Sequence, residues 1–223
     1  MLVTYTSFFR FLTLKPRALF SIFGIRRIKG YTMQTIMGVY QMREHIEEMT
    51  KNGIEGAIVE TGCWKGGLGA YMALFGRETW LFDSFEGLPA LTEKDMELAS
   101  TRGLPLYEKS GYIAVPEEIA FAIARKLGTT PHIVKGWFDE TLPKYKEQIG
   151  PIAILRLDGD AYSSTKEALE SLYDSVVVGG IVVVDDYYSF SGCREALYDF
   201  FTAHRLTPAL RQYPSGRVYC KKE

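Results

Sequence analysis

The sequence is poor in the residues that most often announce a metal or disulfide framework. Of its 223 residues only three are cysteine and three are histidine. Cys63, Cys193 and Cys220 lie far apart, show no zinc-ligand spacing and form an odd set, so neither a zinc site nor a disulfide scaffold is expected. A reducing compartment, the cytoplasm, suits such a chain. An excess of one charge is also missing. Lys and Arg total 26 against 27 Asp and Glu, without the basic surplus a nucleic-acid partner demands. No uninterrupted run of about 20 apolar residues is present. The Phe- and Leu-rich stretch Met1 to Phe23 comes nearest, but Arg10, Lys15, Pro16 and Arg17 break it. It also lacks the order of a signal peptide, in which a small-residue cleavage site follows a charged and then an apolar region. An arm that packs on the domain or on a second subunit is expected there, with a membrane-surface helix as the other reading.

What is present is an ordinary globular balance, 47% hydrophobic and 24% charged, long enough for one substantial core. Residues 1–34 read as an N-terminal helical arm and 35–223 as a single domain. No repeat or low-complexity segment is visible. Strand and helix patterns alternate. A helix is predicted from Thr35 to Thr50, stopped by Asn52-Gly53. The apolar run Gly56 to Glu60 follows, then a glycine-rich turn, Gly62 to Gly69, and a helix through Tyr71 to Phe75. Further strands are predicted at Thr79 to Asp83, His132 to Gly136, Ile152 to Asp158 and Gly180 to Asp185. Helices are predicted at Glu117 to Leu127, Thr165 to Tyr173 and Ser191 to His204. Two short strands, Ala209–Tyr213 and Arg217–Cys220, close the chain around a Pro214-Ser215-Gly216 turn. Leu88 to Pro116 is irregular and long, which favours a functional loop.

The strands do not alternate apolar with polar residues, so both faces of the sheet should be covered. The expected fold is α/β, a doubly wound, mostly parallel, Rossmann-like sheet. Such sheets bind ligands beyond the C-terminal strand ends. Glu60, Asp83, Asp158 and Asp185 all stand at such ends and should converge on one rim.

Glu60, Thr61, Gly62, Cys63 and Trp64 open the loop between the first strand and its helix. The spacing places an acid ahead of the first glycine, which suits a ligand carrying an ammonium group; a dinucleotide fingerprint would read G-x-G-x-x-G. An NAD-dependent oxidoreductase therefore fits the sheet but not the loop. A tight βα turn is the bland alternative. Asp83 ends the second strand, where an acid can accept from both ribose hydroxyls; it could equally cap a helix. Trp137 and Phe138 could stack on an adenine or simply fill the core.

Asp158, Asp185 and Asp186 close neighbouring strands. Carboxylates brought together disfavour one another's ionisation unless a cation intervenes. A hard ion such as Mg²⁺ takes oxygen ligands of this kind and could lower the pKa of an acceptor hydroxyl. The Asp pair alone could instead cap the next helix; Asp158 tips the balance toward metal. Asp160 could touch the acceptor or take its proton, while Ser163 or Ser164 could cap a helix. His45, His132 and His204 read as structural or surface residues, with no evident partner for His132.

Five segments resemble the macrocin O-methyltransferase family, whose members methylate sugar hydroxyls on antibiotic glycosides. They are Val59 to Gly67, Phe82 to Pro89, Lys135 to Pro143, Leu155 to Thr165 and Gly179 to Tyr187, within a likeness running from about Tyr31 to Tyr219. The resemblance implies a class I methyltransferase fold with seven strands, the last antiparallel. It implies S-adenosylmethionine at Glu60 to Trp64, Asp83-Ser84 and Trp137-Phe138, and Mg²⁺ at Asp158, Asp185 and Asp186. It also implies a homodimer or larger oligomer acting on a hydroxylated small molecule such as a glycoside. Two departures stand out. Lys65 replaces the family's common Arg, and the lid, about Thr92 to Val115, contains no histidine, so Tyr107, Lys109, an aspartate or the metal alone would have to manage the proton. That second departure leaves a catalytically inactive nucleoside-binding or scaffold protein of the same fold as the alternative to the enzyme.

Overall fold

The structure is a computed structural model and describes residues 24–89, 93–95, 111, 113–213 and 216–223. The expectations for Met1 to Phe23, for Tyr107 and Lys109, for most of the lid and for the Pro214-Ser215 turn fall outside these residues.

Seven strands form one sheet. They are β1 (Ala57–Thr61), β2 (Thr79–Asp83), β3 (His132–Lys135), β4 (Ile152–Leu157), β5 (Val176–Val184), β6 (Arg211–Gln212) and β7 (Val218–Lys221), in the order β3-β2-β1-β4-β5-β7-β6. The first five are parallel. β7 runs antiparallel to β5 and pairs with β6, as the resemblance implied. The chain order reverses between β1 and β4, and that reversal opens the crevice in which a doubly wound sheet takes its ligand.

Helices α1 (Ile36–Lys51), α2 (Gly67–Met72) and α3 (Glu118–Leu127) cover one face. Helices α4 (Phe138–Ile149), α5 (Tyr162–Leu172) and α6 (Ser191–Ala203) cover the other. Strand residues serve the two cores in alternation: Val59, Leu155, Leu157, Val182 and Val184 pack with α4, α5 and α6, while Ile58, Ile154, Ile181 and Val183 pack with α1, α2 and α3. The central strands β1 and β4 are buried along their whole length, which is why they read as unbroken apolar runs.

Several boundaries shift for identifiable reasons. Thr35 is the N-cap of α1 and not its first residue, its hydroxyl accepting the Gly38 N–H at 3.1 Å. α5 begins at Tyr162, three residues before the expected Thr165, behind Ala161, which has no capping side chain. Neither Ser163 nor Ser164 is its cap; Ser164 Oγ instead donates to the Gly159 carbonyl at 2.6 Å. The cap is supplied from far away in sequence, because the Tyr162 N–H donates to Asp95 Oδ1. β5 starts at Val176, ahead of the expected Gly180. α4 has no counterpart in the sequence reading. Pro143, which ordinarily breaks a helix interior, lies inside it, and only Phe138, Thr141, Leu142 and Ile149 are buried.

The described part of the N-terminal segment lies against the domain. Ile28 is buried in the α1–α2–α3 core, and the Tyr31 carbonyl accepts the Gly67 N–H at 2.9 Å. Among the described residues no helix is long and apolar enough to cross a membrane.

Candidate active site

The predicted rim forms. Glu60, Asp83, Asp158, Asp185 and Asp186 all line one cavity of about 550 Å³ at the C-terminal strand ends. Gly62, Cys63, Trp64, Ser84, Trp137, Phe138 and Asp160 share its walls. Thr61 does not; it is 1% exposed and gives its hydroxyl to the Arg156 carbonyl at 3.3 Å.

The β1–α2 loop is built around close backbone approach. Gly62 has φ +87°, and a Cβ there would lie 2.0 Å from the Asp158 carbonyl oxygen, so this position excludes a side chain on both counts. Asp83 organises the loop from the next strand. Its Oδ2 accepts the Trp64 N–H and its Oδ1 the Phe85 N–H, both at 2.7 Å. Asp83 therefore braces the loop backbone and caps no described helix, since the N-cap of α2 is Gly66 and has no side-chain cap. Burial pushes the Asp83 carboxyl up, against the pull of these backbone N–H groups. Phe138 is at once core and cavity wall. Lys65 is half-buried, its ammonium 4.2 Å from the Trp64 ring centroid and donating to the Gly30 carbonyl at 3.5 Å.

Across the reversal point one oxygen from each of Asp158, Asp185 and Asp186 lies within 4.8 Å of the others. Asp186 Oδ2 is buried and has no hydrogen-bond partner. Burial, and then the surrounding carboxylates, push Asp186 well above the usual carboxylate range. Asp158 is likewise raised by burial against the pull of Arg156. Asp185 goes the other way. Burial pushes it up, but Arg156 and Arg217 outweigh burial and hold it below its ordinary value. Asp160 has φ +62°, and burial with neighbouring Asp158 pushes it up to about 7. A close set of hard oxygen donors carrying surplus negative charge, one donor left unpaired, fits a divalent cation.

Sequence reasoning missed the basic residues that hold this set. Arg156 is 1% exposed and donates to Glu60 Oε1 at 2.8 Å, Asp158 Oδ2 at 2.6 Å and Asp185 Oδ1 at 2.6 Å. Arg217 Nε also donates to Asp185 Oδ1, and Gln34 Nε2 donates to Asp185 Oδ2 at 3.2 Å. The available signal was Arg156 itself, a lone cation in an otherwise apolar strand, which must be paired if buried. Glu60, buried beside it, is pushed up to about 7 by burial against the pull of Arg156.

The histidines stand apart from the cavity. His45 is 5% exposed, between Tyr213 and Tyr219. His132 does have partners, contrary to expectation: it stacks on Trp80 at 4.1 Å and meets Glu78 at 3.5 Å. His204 meets Glu170 at 3.2 Å.

Known proteins share this framework. The family described as macrocin-O-methyltransferase (TylF) matches residues 26–222. The 8-demethyl-8-(2,3-dimethoxy-alpha-L-rhamnosyl)-tetracenomycin-C 4'-O-methyltransferase of Streptomyces olivaceus is 35% identical over 200 residues, covering 85% of this chain and 75% of the relative. Demethyldecarbamoylnovobiocin O-methyltransferase of Streptomyces niveus is 34% identical over 203 residues, covering 86% and 76%. The structure of the O-methyltransferase NovP superposes with a TM-score of 0.76 at 31% identity, covering 86% of this chain and 82% of that one. The calicheamicin methyltransferase CalS11, 21% identical with a TM-score of 0.67 over 93% of both chains, shares the fold. This chain belongs to the macrocin-O-methyltransferase family and is an S-adenosylmethionine-dependent O-methyltransferase.

Proposed function

We propose that the protein methylates a hydroxyl of a sugar or glycosylated small molecule with the help of Mg²⁺. The observation that carries this reading is the meeting of two acidic sets in one cavity, Glu60 and Asp83 on one side, Asp158, Asp185 and Asp186 on the other. Relatives named as O-methyltransferases of a rhamnosyl tetracenomycin, of demethyldecarbamoylnovobiocin and of mycinamicin III support the acceptor class.

In this reading Glu60 Oε2, buried and without a hydrogen-bond partner, receives the cofactor's ammonium. Asp83 takes the ribose hydroxyls, with Ser84 beside it. Gly62, Cys63 and Trp64 line the nucleoside's path, and Trp137 with Phe138 flank the adenine. Asp158, Asp185 and Asp186 would hold Mg²⁺, which when bound supplies Lewis acidity toward vicinal hydroxyls of the acceptor. Asp158, within that site, and Asp160, beside it on the cavity wall, would orient the acceptor hydroxyl and receive its proton. The hydroxyl oxygen forms a bond to the methyl carbon as the carbon–sulfur bond breaks, so alignment of the two substrates supplies much of the acceleration. Gln34, Ser189 and Phe190 also line this cavity and are available to an acceptor.

A homodimer or higher oligomer is proposed as the working form. Ile36 and Met37 are exposed at the start of α1, an apolar surface of the kind subunit contacts cover. A cytoplasmic setting accords with Cys63, Cys193 and Cys220 all being free and buried. Residues 1–34 are proposed as an arm appended to a single methyltransferase domain.

The test is incubation with S-adenosylmethionine and a panel of glycosides, read by mass spectrometry with Mg²⁺ and with EDTA. Addition of one methyl group that stops in EDTA is expected. Undiminished transfer in EDTA would remove the metal from the proposal, and no transfer to any sugar hydroxyl would remove the acceptor class.

A further inference from the structure

Arg156 reaches both halves of the cavity. One nitrogen, Nη1, donates to Glu60 Oε1 and to Asp158 Oδ2, while Nη2 donates to Asp185 Oδ1. The backbone fixes this reach: Arg156 is the parallel-sheet partner of Glu60 on β1 and of Val183 on β5; Asp158 follows Arg156 by two residues and Asp185 follows Val183 by two, each just past the end of its strand. Its side chain is 1% exposed, so water does not share the load. One guanidinium is thus divided among three carboxylates, of which Asp185 is also met by Arg217; a planar fork can span all three where the point charge of a lysine cannot. Glu60 gives Oε1 to this fork and keeps Oε2, buried and without a hydrogen-bond partner.

We propose that Arg156 is a positioning residue that couples the cofactor site to the metal site, so that filling one raises affinity at the other. This rests on the metal reading of Asp158, Asp185 and Asp186 given above. While no metal ion meets their charge, Asp158 and Asp185 draw on the Arg156 N–H groups in competition with Glu60, Asp185 being met by Arg217 as well. When their charge is met by a divalent ion, the guanidinium is left to Glu60, whose Oε1 is then held undivided and whose Oε2 stays aimed at the cofactor's ammonium. Coupling of this kind is reciprocal: the cofactor, by fixing Glu60, favours the arrangement of Arg156 in which Asp158 and Asp185 are free to ligate.

The measurement is calorimetric titration of S-adenosylhomocysteine into the full chain, once with saturating Mg²⁺ and once in EDTA, with Mn²⁺ binding followed separately by electron paramagnetic resonance. In the wild type the dissociation constant should be about fivefold or more lower with Mg²⁺. In Arg156→Lys, which keeps the charge but not the fork, each ligand should still bind and the ratio should fall to about one. Glu60→Gln should also bring the ratio to about one, and it serves as the second variant should Arg156→Lys fail to fold. A purely structural role for Arg156 would weaken both titrations and leave their ratio intact. A wild-type ratio of one in a protein that binds Mn²⁺ overturns the coupling alone, as does an unchanged ratio in Arg156→Lys. A wild type that binds no Mn²⁺ overturns the metal reading and the coupling with it.

Discussion

Arg156 and Glu60 face each other across adjacent parallel strands, paired in register and joined by a 2.8 Å ion pair that is almost wholly removed from water. Taking two charges out of water is expensive, and breaking such a pair by removing one partner leaves the other uncompensated. Three carboxylates depend on this guanidinium. Arg156→Met should therefore lower stability by roughly 3–5 kcal/mol, read as a drop in the urea midpoint. An exposed pair behaves differently. Disrupting Lys94–Asp199, whose side chains are about two-fifths exposed, should move the midpoint hardly at all. Equal effects at the two sites would contradict this account of the buried network.

The two acidic sets should separate kinetically. Asp186→Asn removes a cavity-lining carboxylate whose Oδ2 has no protein partner. Turnover should fall roughly 100-fold or more, while S-adenosylhomocysteine affinity measured in EDTA stays near wild type. Asp83→Ala should do the reverse first: it removes the acceptor for the Trp64 and Phe85 N–H groups and, in the proposed reading, for the ribose, weakening the ligand by about tenfold or more. Normal ligand affinity in Asp83→Ala would show that the ribose is held elsewhere.

Much of this site was legible because strand ends are easy to see. Val59-Glu60, Phe82-Asp83, Leu157-Asp158 and Val184-Asp185 each mark a change from apolar to acidic, and a parallel sheet carries all such changes to one edge. What escaped needed information from far along the chain. α4 hides behind Pro143 and a charged exposed face. The start of α5 is set by Asp95, 67 residues earlier, so the local Ser163-Ser164 signal misleads. Arg217 and Gln34 approach Asp185 from opposite ends of the chain, and nothing in their own neighbourhoods predicts a carboxylate partner. Arg156 was the exception, visible as an anomaly in β4.

His45 should give the fold an acid sensitivity separate from the active site. It is enclosed by Tyr213 and Tyr219, with Glu48 and Lys221 as charged neighbours. Burial pushes its pKa down to about 4, against the pull of Glu48. An unfolded imidazole titrates near 6.5, so between pH 6.5 and 4 the unfolded chain binds more protons than the folded one. Stability from this residue is complete above the unfolded pKa and is lost as pH falls through that window. Going from pH 7.5 to 5.0 should cost the wild type about 2 kcal/mol more than it costs His45→Gln, measured by urea unfolding at both pH values. Parallel losses in the two proteins would assign the acid sensitivity to other groups.

Gly62 should tolerate nothing larger, because two separate penalties coincide there. Its φ of +87° is strained for any residue with a Cβ, and an added Cβ would meet the Asp158 carbonyl oxygen at 2.0 Å and carbon at 2.7 Å. These are backbone atoms in the crossing between β1 and β4, pinned by the Asp158 N–H on the Thr61 carbonyl and the Gly62 N–H on the Phe82 carbonyl, so relief requires moving the sheet edge that carries Asp158. Gly76 separates the two penalties. It has φ +76° but nothing within 4 Å of an added Cβ. Gly76→Ala should cost about 1 kcal/mol from the backbone alone. Gly62→Ala should cost about 3 kcal/mol, the further part coming from overpacking, and should lower turnover as well because Asp158 is displaced. Thermal unfolding of the two variants side by side reads the difference. If Gly62→Ala melts with Gly76→Ala and turns over normally, the close approach of the cofactor loop to Asp158 does not constrain the enzyme in solution.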